Sequence, residues 1–295
     1  MIKRTVAMFL FVASVAAGVP LIGSHTAPAS GQGVTIGRVH DDFQPTKGKI
    51  FVLVIGNDAR EGNPDRSRAD AIHIAGINTK TMKGGILNFP RDSWVPIPGH
   101  GSGKINEALY DGGPRLLAET LENQTGIRLD YWVMVGFQGF LNVIGDIKGV
   151  EYKVPFPIHD PTGSGANLDA GVQRLGARNS LGFVRTRHSF PNGDIDRTTN
   201  QGKFLLAMLK KLRSSVSRDP AELMRWISTT RQNARFDLSF GELYRLALLT
   251  TQVRPGDVKN VTVPVSIGSV GAASVVFISP SANSIYQRFR RTGSP

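Results

Sequence analysis

The chain has 295 residues, 40% of them hydrophobic, enough for one large core or two small ones. Its net charge of +12 calls for an anionic partner such as nucleic acid, membrane lipid, phosphates or a cell-wall polymer. The lack of cysteine excludes disulfide scaffolds, Cys-ligated zinc and thiol nucleophiles. At the start, Lys3 and Arg4 precede an uncharged, largely apolar stretch running to Ser24. Residues 1–24 therefore read as a retained membrane anchor or a signal segment. Either places the rest of the chain outside the cytoplasm, secreted if the signal is cleaved. Residues 25–48, rich in Gly, Pro, Ser and Thr, read as a linker, so the domain is expected over 49–295.

KIFVLVIG (49–56) is a continuous β-branched run of the kind that forms a buried strand. AIHIAGI (71–77) and GGILNF (84–89) flank the polar turn NTKTMKG and predict an antiparallel hairpin. Pro114 opens a helix ended by Gly126, followed by a strand over 131–137, a helix over 138–147 and a strand over 150–158. Helices are expected at 176–187 and 196–214, the second with Phe204, Leu205, Met208, Leu209 and Leu212 as its apolar stripe. A helix pair (220–232 and 239–251) and a strand (258–265) complete the series. Strands alternating with helices predict an α/β fold, a three-layer α/β/α sandwich around a mixed central sheet.

The hairpin sets Asp70 at the same sheet edge as Arg91 and Asp92. If strand 49–56 runs parallel to strand 84–89, Asp58 and Arg60 reach that edge as well. Singly these are ordinary turn charges; jointly they form a rim where α/β proteins bind ligands. Carboxylates without a nearby His or Cys suit a hard cation such as Mg²⁺. Downstream, FVRTRHSFPNGDIDRTTNQ (183–201) places Arg197 and Gln201 one turn apart at the start of the long helix, beside free backbone N–H groups. That is either an anion site or a solvated basic helix start. GSGKIN (101–106) lacks the glycine and the hydroxyl of a P-loop. The six histidines have no metal-ligand spacing, no G-x-S-x-G elbow is present, and RFRR (288–291) reads as a solvated basic tail.

Taken in order, GNDAR (56–60), RAD (68–70), PRD (90–92), KINEALYDGGP (104–114), VRTRH (184–188), GDIDR (193–197) and Gln201 resemble the LytR–CpsA–Psr family of cell-envelope proteins. The resemblance implies a membrane-anchored extracellular domain that holds a polyprenyl-pyrophosphate-linked glycopolymer with Mg²⁺ and transfers its phosphate to a peptidoglycan hydroxyl. Position by position, it implies that Asp58 and Asp70 hold the metal, with Arg60, Arg68, Arg91, Arg185, Arg187 and Arg197 as pyrophosphate ligands and Gln201 assisting. Asp92 would orient Arg91 or take the acceptor's proton. Ala69 stands where the family usually has Ser, and Asn200 where many relatives carry a second Arg. The prenyl tail needs an apolar tunnel, for which Phe137, Phe140, Leu141, Ile144, Phe204 and Met208 are candidates if they are not ordinary core. Rival functions are a lipid-linked-polymer binding protein, a pyrophosphatase using water as acceptor, and a DNA-binding regulator. The export signal speaks against nucleic acid.

Overall fold

The computed structural model describes residues 34–40, 48–57, 67–232, 234–236 and 238–295. In chain order the first strands are β1 (Val34–Arg38), β2 (Lys49–Asn57), β3 (Ala69–Asn78), β4 (Gly84–Asn88) and the hairpin of β5 (Trp94–Ile97) and β6 (Gly101–Lys104). Helix α1 (Glu107–Thr125), β7 (Tyr131–Val135) and α2 (Phe137–Asp146) follow. Short strands β8 (Val150–Val154), β9 (Ile158–Asp160), β10 (Ala166–Leu168) and β11 (Gly171–Leu175) lead into α3 (Ala177–Arg185), α4 (Asp194–Arg218) and α5 (Ala221–Gln232). The chain closes with β12 (Ala234–Phe236), α6 (Phe240–Gln252), β13 (Val258–Thr262), the hairpin of β14 (Val265–Val270) and β15 (Ala273–Ile278), and α7 (Ala282–Thr292).

Seven strands form one mixed sheet in the order β12-β1-β7-β2-β3-β4-β13. β3 is antiparallel to both β2 and β4, so those two run in the same direction, which meets the condition that the sequence left open. Burial along β2 alternates, with Phe51, Leu53 and Ile55 pointing into a core shared with Leu109, Leu117 and Leu121 of α1 and Phe289 of α7. The opposite face carries α2 and α4, and a second core gathers there around Ile144, Phe183 and Phe204. The α/β/α sandwich with a mixed sheet is therefore the observed architecture.

Two expectations are corrected. The segment 25–48, read as a linker, contains β1, which pairs antiparallel with β7 from Val34 opposite Val135 to Arg38 opposite Tyr131. Five residues of strand pattern are hard to see beside Gly- and Pro-rich neighbours. Gly37 is needed there, because a Cβ would sit 2.5 Å from the Trp132 indole. The RFRR tail is the last part of α7: Phe289 is fully buried with its ring edge-on to Phe51, and Tyr286 stacks on Phe89. The helix expected from Pro114 gains an earlier turn, separated from it by a kink at Gly112 and Gly113. Residues 1–24, expected to be an anchor or signal, lie outside the described residues. Among the described residues no helix is long and apolar enough to cross a membrane.

Candidate active site

The register between β2 and β3 shifts at one point: Gly56 faces Ala71, yet Asn57 faces Ala69. Asp70 is thus the extra residue of a β-bulge, a distortion that re-aims a side chain at a sheet edge. Arg91, three residues past the end of β4, donates from Nη1 to Asp70 Oδ1. Its Nε lies 3.8 Å from Asp92 Oδ2 and 3.7 Å from Asp194 Oδ1. Asp92 is held from its other side by Lys104, Nζ to Oδ1 2.9 Å. Arg197 in the first turn of α4 is only 4% exposed. Its Nη2 donates to the Asp70 carbonyl oxygen (3.1 Å) and lies 2.8 Å from Asp194 Oδ1. Asp194 and Asp196 in this first turn also suit the positive end of the helix dipole.

These charges are strained against burial. Burial pushes the Asp194 carboxyl above its ordinary pKa, even though Arg197 and Arg91 pull it down. Burial likewise lowers the Arg197 guanidinium, against the pull of Asp194 and Asp70. For Arg91 burial also acts downward, but Asp70 and Asp194 outweigh it and the net shift is upward. Two cations and a half-buried carboxylate cluster are thus held ready at low dielectric, where an incoming anion gains most.

Behind this cluster opens a cavity of about 460 Å³ with a mainly apolar wall. Val54 of β2, Val133 and Val135 of β7, Phe137, Phe140 and Ile144 of α2, and Phe204 and Met208 of α4 line it. Asp70, Arg91, Arg185, Arg187, Arg197 and Gln201 line the charged end. The Arg185 guanidinium lies over the Phe137 ring at 4.8 Å, and its Nη1 donates to the Ser164 carbonyl (3.4 Å). Gln201 donates to the Val184 carbonyl (3.1 Å), which fixes the end of α3 against α4.

The fold therefore brings together Asp70, Arg91, Asp92, Arg185, Arg187, Arg197 and Gln201. Arg68 is exposed and does not line the cavity. Asp58 and Arg60 lie outside the described residues. Of the expected tunnel residues, Phe137, Phe140, Ile144, Phe204 and Met208 line the cavity and Leu141 does not. Asn200 is buried, accepts from Lys203 Nζ (3.5 Å) and also stays off the cavity wall. Sequence reasoning missed Asp194, although its spacing of three residues from Arg197 on one helix was a usable signal. It also missed His73, which is 2% exposed, lines the cavity and donates from Nδ1 to Asn88 Oδ1 at 2.8 Å. Nothing in the sequence marks His73, since its importance arises only where β3 passes beneath α4.

The LytR_cpsA_psr family model matches residues 24–290. The probable cell wall biosynthesis protein LcpB of Corynebacterium glutamicum is 34% identical over 234 residues, 72% of this chain and 54% of LcpB. The chain thus spans about half the length of that relative. Regulatory protein MsrR of Staphylococcus aureus is 31% identical over 77% of this chain and 69% of its own. The polyisoprenyl-teichoic acid–peptidoglycan teichoic acid transferase TagT of Bacillus subtilis is 31% identical over 78% of this chain and 72% of TagT. Among solved structures, TagT bound to LI-WTA superposes with a TM-score of 0.70 at 25% identity, covering 91% of this chain and 99% of that one. B. subtilis TagV gives a TM-score of 0.74 at 21% identity over 83% and 97% of the two chains, a likeness of fold. The family match across 24–290, together with relatives 31–34% identical over most of the chain, shows that this chain belongs to the LytR–CpsA–Psr family.

Proposed function

We propose that this protein is an extracytoplasmic phosphotransferase that moves a glycopolymer from a polyprenyl-pyrophosphate carrier to a peptidoglycan hydroxyl in cell-wall assembly. The observation that carries the reading is the junction of an arginine-rich mouth with a cavity of about 460 Å³ whose wall is mainly apolar. A molecule matching both halves is a pyrophosphate with a long hydrocarbon tail. Arg91, Arg185, Arg187 and Arg197 neutralise the phosphate oxygens, and their planar forks suit that task better than point charges. Asp194 holds Arg91 and Arg197 apart and in place. Asp92, kept at the edge by Lys104, is the carboxylate available to take the acceptor's proton. The acceptor oxygen then bonds to the glycopolymer phosphorus as the bridging P–O bond breaks, and prenyl phosphate leaves with the electron pair. Catalysis of this kind rests on positioning and on charge stabilisation. The export-type sequence of residues 1–24 and a lipid-borne substrate support a site of action at the outer face of the cell membrane.

Mg²⁺ fits this mouth in part. Asp70 offers a hard carboxylate oxygen at the charged end, and with Asp58 it would supply the one or two carboxylates this ion usually takes. Among the described residues no group of three metal-ligating side chains gathers, so the remaining positions would go to water and phosphate. Bound there, the ion would add further neutralisation of the phosphate oxygens. It would also compete with Arg91 for Asp70. The test is incubation of the protein with a prenyl pyrophosphate, with and without Mg²⁺ and a peptidoglycan acceptor. Prenyl monophosphate and a phosphate-linked acceptor are the expected products. Intact pyrophosphate under all conditions would overturn the reading, and monophosphate with no acceptor product would assign a pyrophosphatase instead.

A further inference from the structure

Helix α4 carries one stripe from the mouth to its far end. Arg197 and Gln201 come first, then Phe204 and Met208, then Lys211, Ser215 and Arg218, at steps of three or four residues. The middle pair lines the apolar cavity, and the last three line a second cavity of about 420 Å³. Helix α2 changes at the same level: Val143 and Ile144 line the first cavity, while Ile147 and Lys148, just past the helix, line the second. The second cavity thus continues the line of the first by one turn on both helices, at the end away from Arg91. Arg197 and Lys211 are separated by about 21 Å of helix.

The chemistry of this far end is basic. Lys148, Lys211, Arg218 and Arg225 line it, with Asp146, Asp219 and Glu222 as its acidic members. Arg225 pairs with Glu222 and with Asp219, the latter at 3.3 Å, which uses that cation and two of the three carboxylates and leaves Lys148, Lys211 and Arg218 beside Asp146. Burial, then the neighbouring Arg174, Arg218 and Lys148, lower the pKa of the Lys211 ammonium. Lys148 and Arg218 are exposed, so the charge faces outward.

We propose that this basic end docks on the anionic phospholipid headgroups of the membrane, so that the prenyl tail passes from the bilayer into the apolar cavity with its pyrophosphate at the opposite, arginine-rich end. The inference rests on the prenyl-pyrophosphate reading above. The carrier's tail is a membrane-resident chain, and in this orientation the cavity end facing away from the pyrophosphate meets the leaflet. Positive charge is what an anionic leaflet attracts, and the attraction falls away within a Debye length.

The experiment uses the full chain on vesicles of brominated phosphatidylcholine with and without phosphatidylglycerol. Emission from Trp226, which lines the basic cavity, is isolated by subtracting a Trp226→Phe variant. Docking predicts Trp226 quenching several-fold stronger with phosphatidylglycerol and reversed by 1 M salt, where the Debye length is about 3 Å. A Lys148→Glu, Lys211→Glu, Arg218→Glu variant should lose that difference while cleaving water-soluble geranyl pyrophosphate at the wild-type rate. Equal quenching on both vesicles, quenching abolished by equimolar inorganic phosphate, or a triple variant quenched like wild type would overturn the docking. Loss of geranyl pyrophosphate cleavage by wild type would instead sink the transferase reading, and the quenching would still decide the docking. An unchanged circular dichroism spectrum excludes misfolding of the variant.

Discussion

Arg91 donates to Asp70 and stands 3.8 Å from the Asp92 carboxylate and 3.7 Å from that of Asp194, and so works as a planar hub among three carboxylates rather than as half of an ion pair. Arg91→Lys keeps the charge and loses the fork. In turnover of a prenyl pyrophosphate it should fall close to Arg91→Ala, about 30- to 1,000-fold below wild type. A Lys variant within a factor of two of wild type would show that charge alone suffices. Asp194→Asn tests the other side of the cluster. It leaves the Arg197 side chain, 5% exposed, without its carboxylate, and removing one member of a buried pair costs about 3–5 kcal/mol. The lower end applies here, since the Asp194 side chain keeps 23% exposure. Urea unfolding should show that loss, and added inorganic pyrophosphate should restore part of it by binding the folded state in the carboxylate's place. Arg91 and Arg197 were legible in the sequence because their motifs sit next to predicted element ends. Asp194 is equally close in the chain, but its role depends on Arg91, more than a hundred residues away.

At the level of elements, a polar network that is buried at His73 and Asn88 and half-buried beyond them ties the sheet to α4. His73 of β3 donates to Asn88 of β4, Asn88 Nδ2 donates to Asn260 Oδ1 of β13 (2.9 Å), and Asn260 Nδ2 donates to the Thr199 carbonyl of α4 (3.1 Å). The Thr199 and Thr262 hydroxyls share a further bond of 2.7 Å. Gly202 makes the close approach possible, since a Cβ there would lie 2.1 Å from Asn260 Oδ1. Burial is the main cause that lowers the His73 pKa to about 4, with the Asn88 hydrogen bond opposing it. The unfolded chain, with His near 6.5, takes up this proton first. Stability is therefore fully present above about pH 6.5 and is lost as pH falls toward 4, by about 3 kcal/mol in total. His73→Leu should remove that share of the pH dependence, read as urea midpoints at pH 7 and pH 4.5. An identical drop in wild type and variant would assign the effect to other groups. The elements joined here were mostly predictable from hydrophobic runs and turn residues. β1 and α7 were not, because one is a five-residue strand amid linker-like composition and the other shows a dense surface charge over a narrow apolar stripe.

Across the whole molecule the two faces of the sheet differ in kind. The face under α1 and α7 is filled by Phe51, Leu53, Leu117 and Phe289, whereas the face under α2 and α4 keeps the cavity open between Val54, Phe140 and Met208. Apolar periodicity cannot separate these cases, because a residue lining a tunnel and one packed in a core follow the same pattern. This is why the tunnel residues stayed ambiguous until the helices were in place. Met208→Trp should shorten the cavity from its middle. It is expected to raise KM for long-chain prenyl pyrophosphates about tenfold while leaving a two-isoprene substrate within a factor of two. Equal losses on both chain lengths would show that the cavity does not hold the tail.

The same cavity has a mechanical consequence. Void space inside a folded protein disappears when the chain unfolds, so hydrostatic pressure favours the unfolded state in proportion to the void removed. Here that void is concentrated on one side of the sheet, so compression should loosen α2 and α4 before it disturbs α1 and α7. A prenyl chain occupying the space would make the protein stiffer and more pressure-resistant. Its lipid would then serve as a removable part of the hydrophobic core, present before transfer and given up with the product.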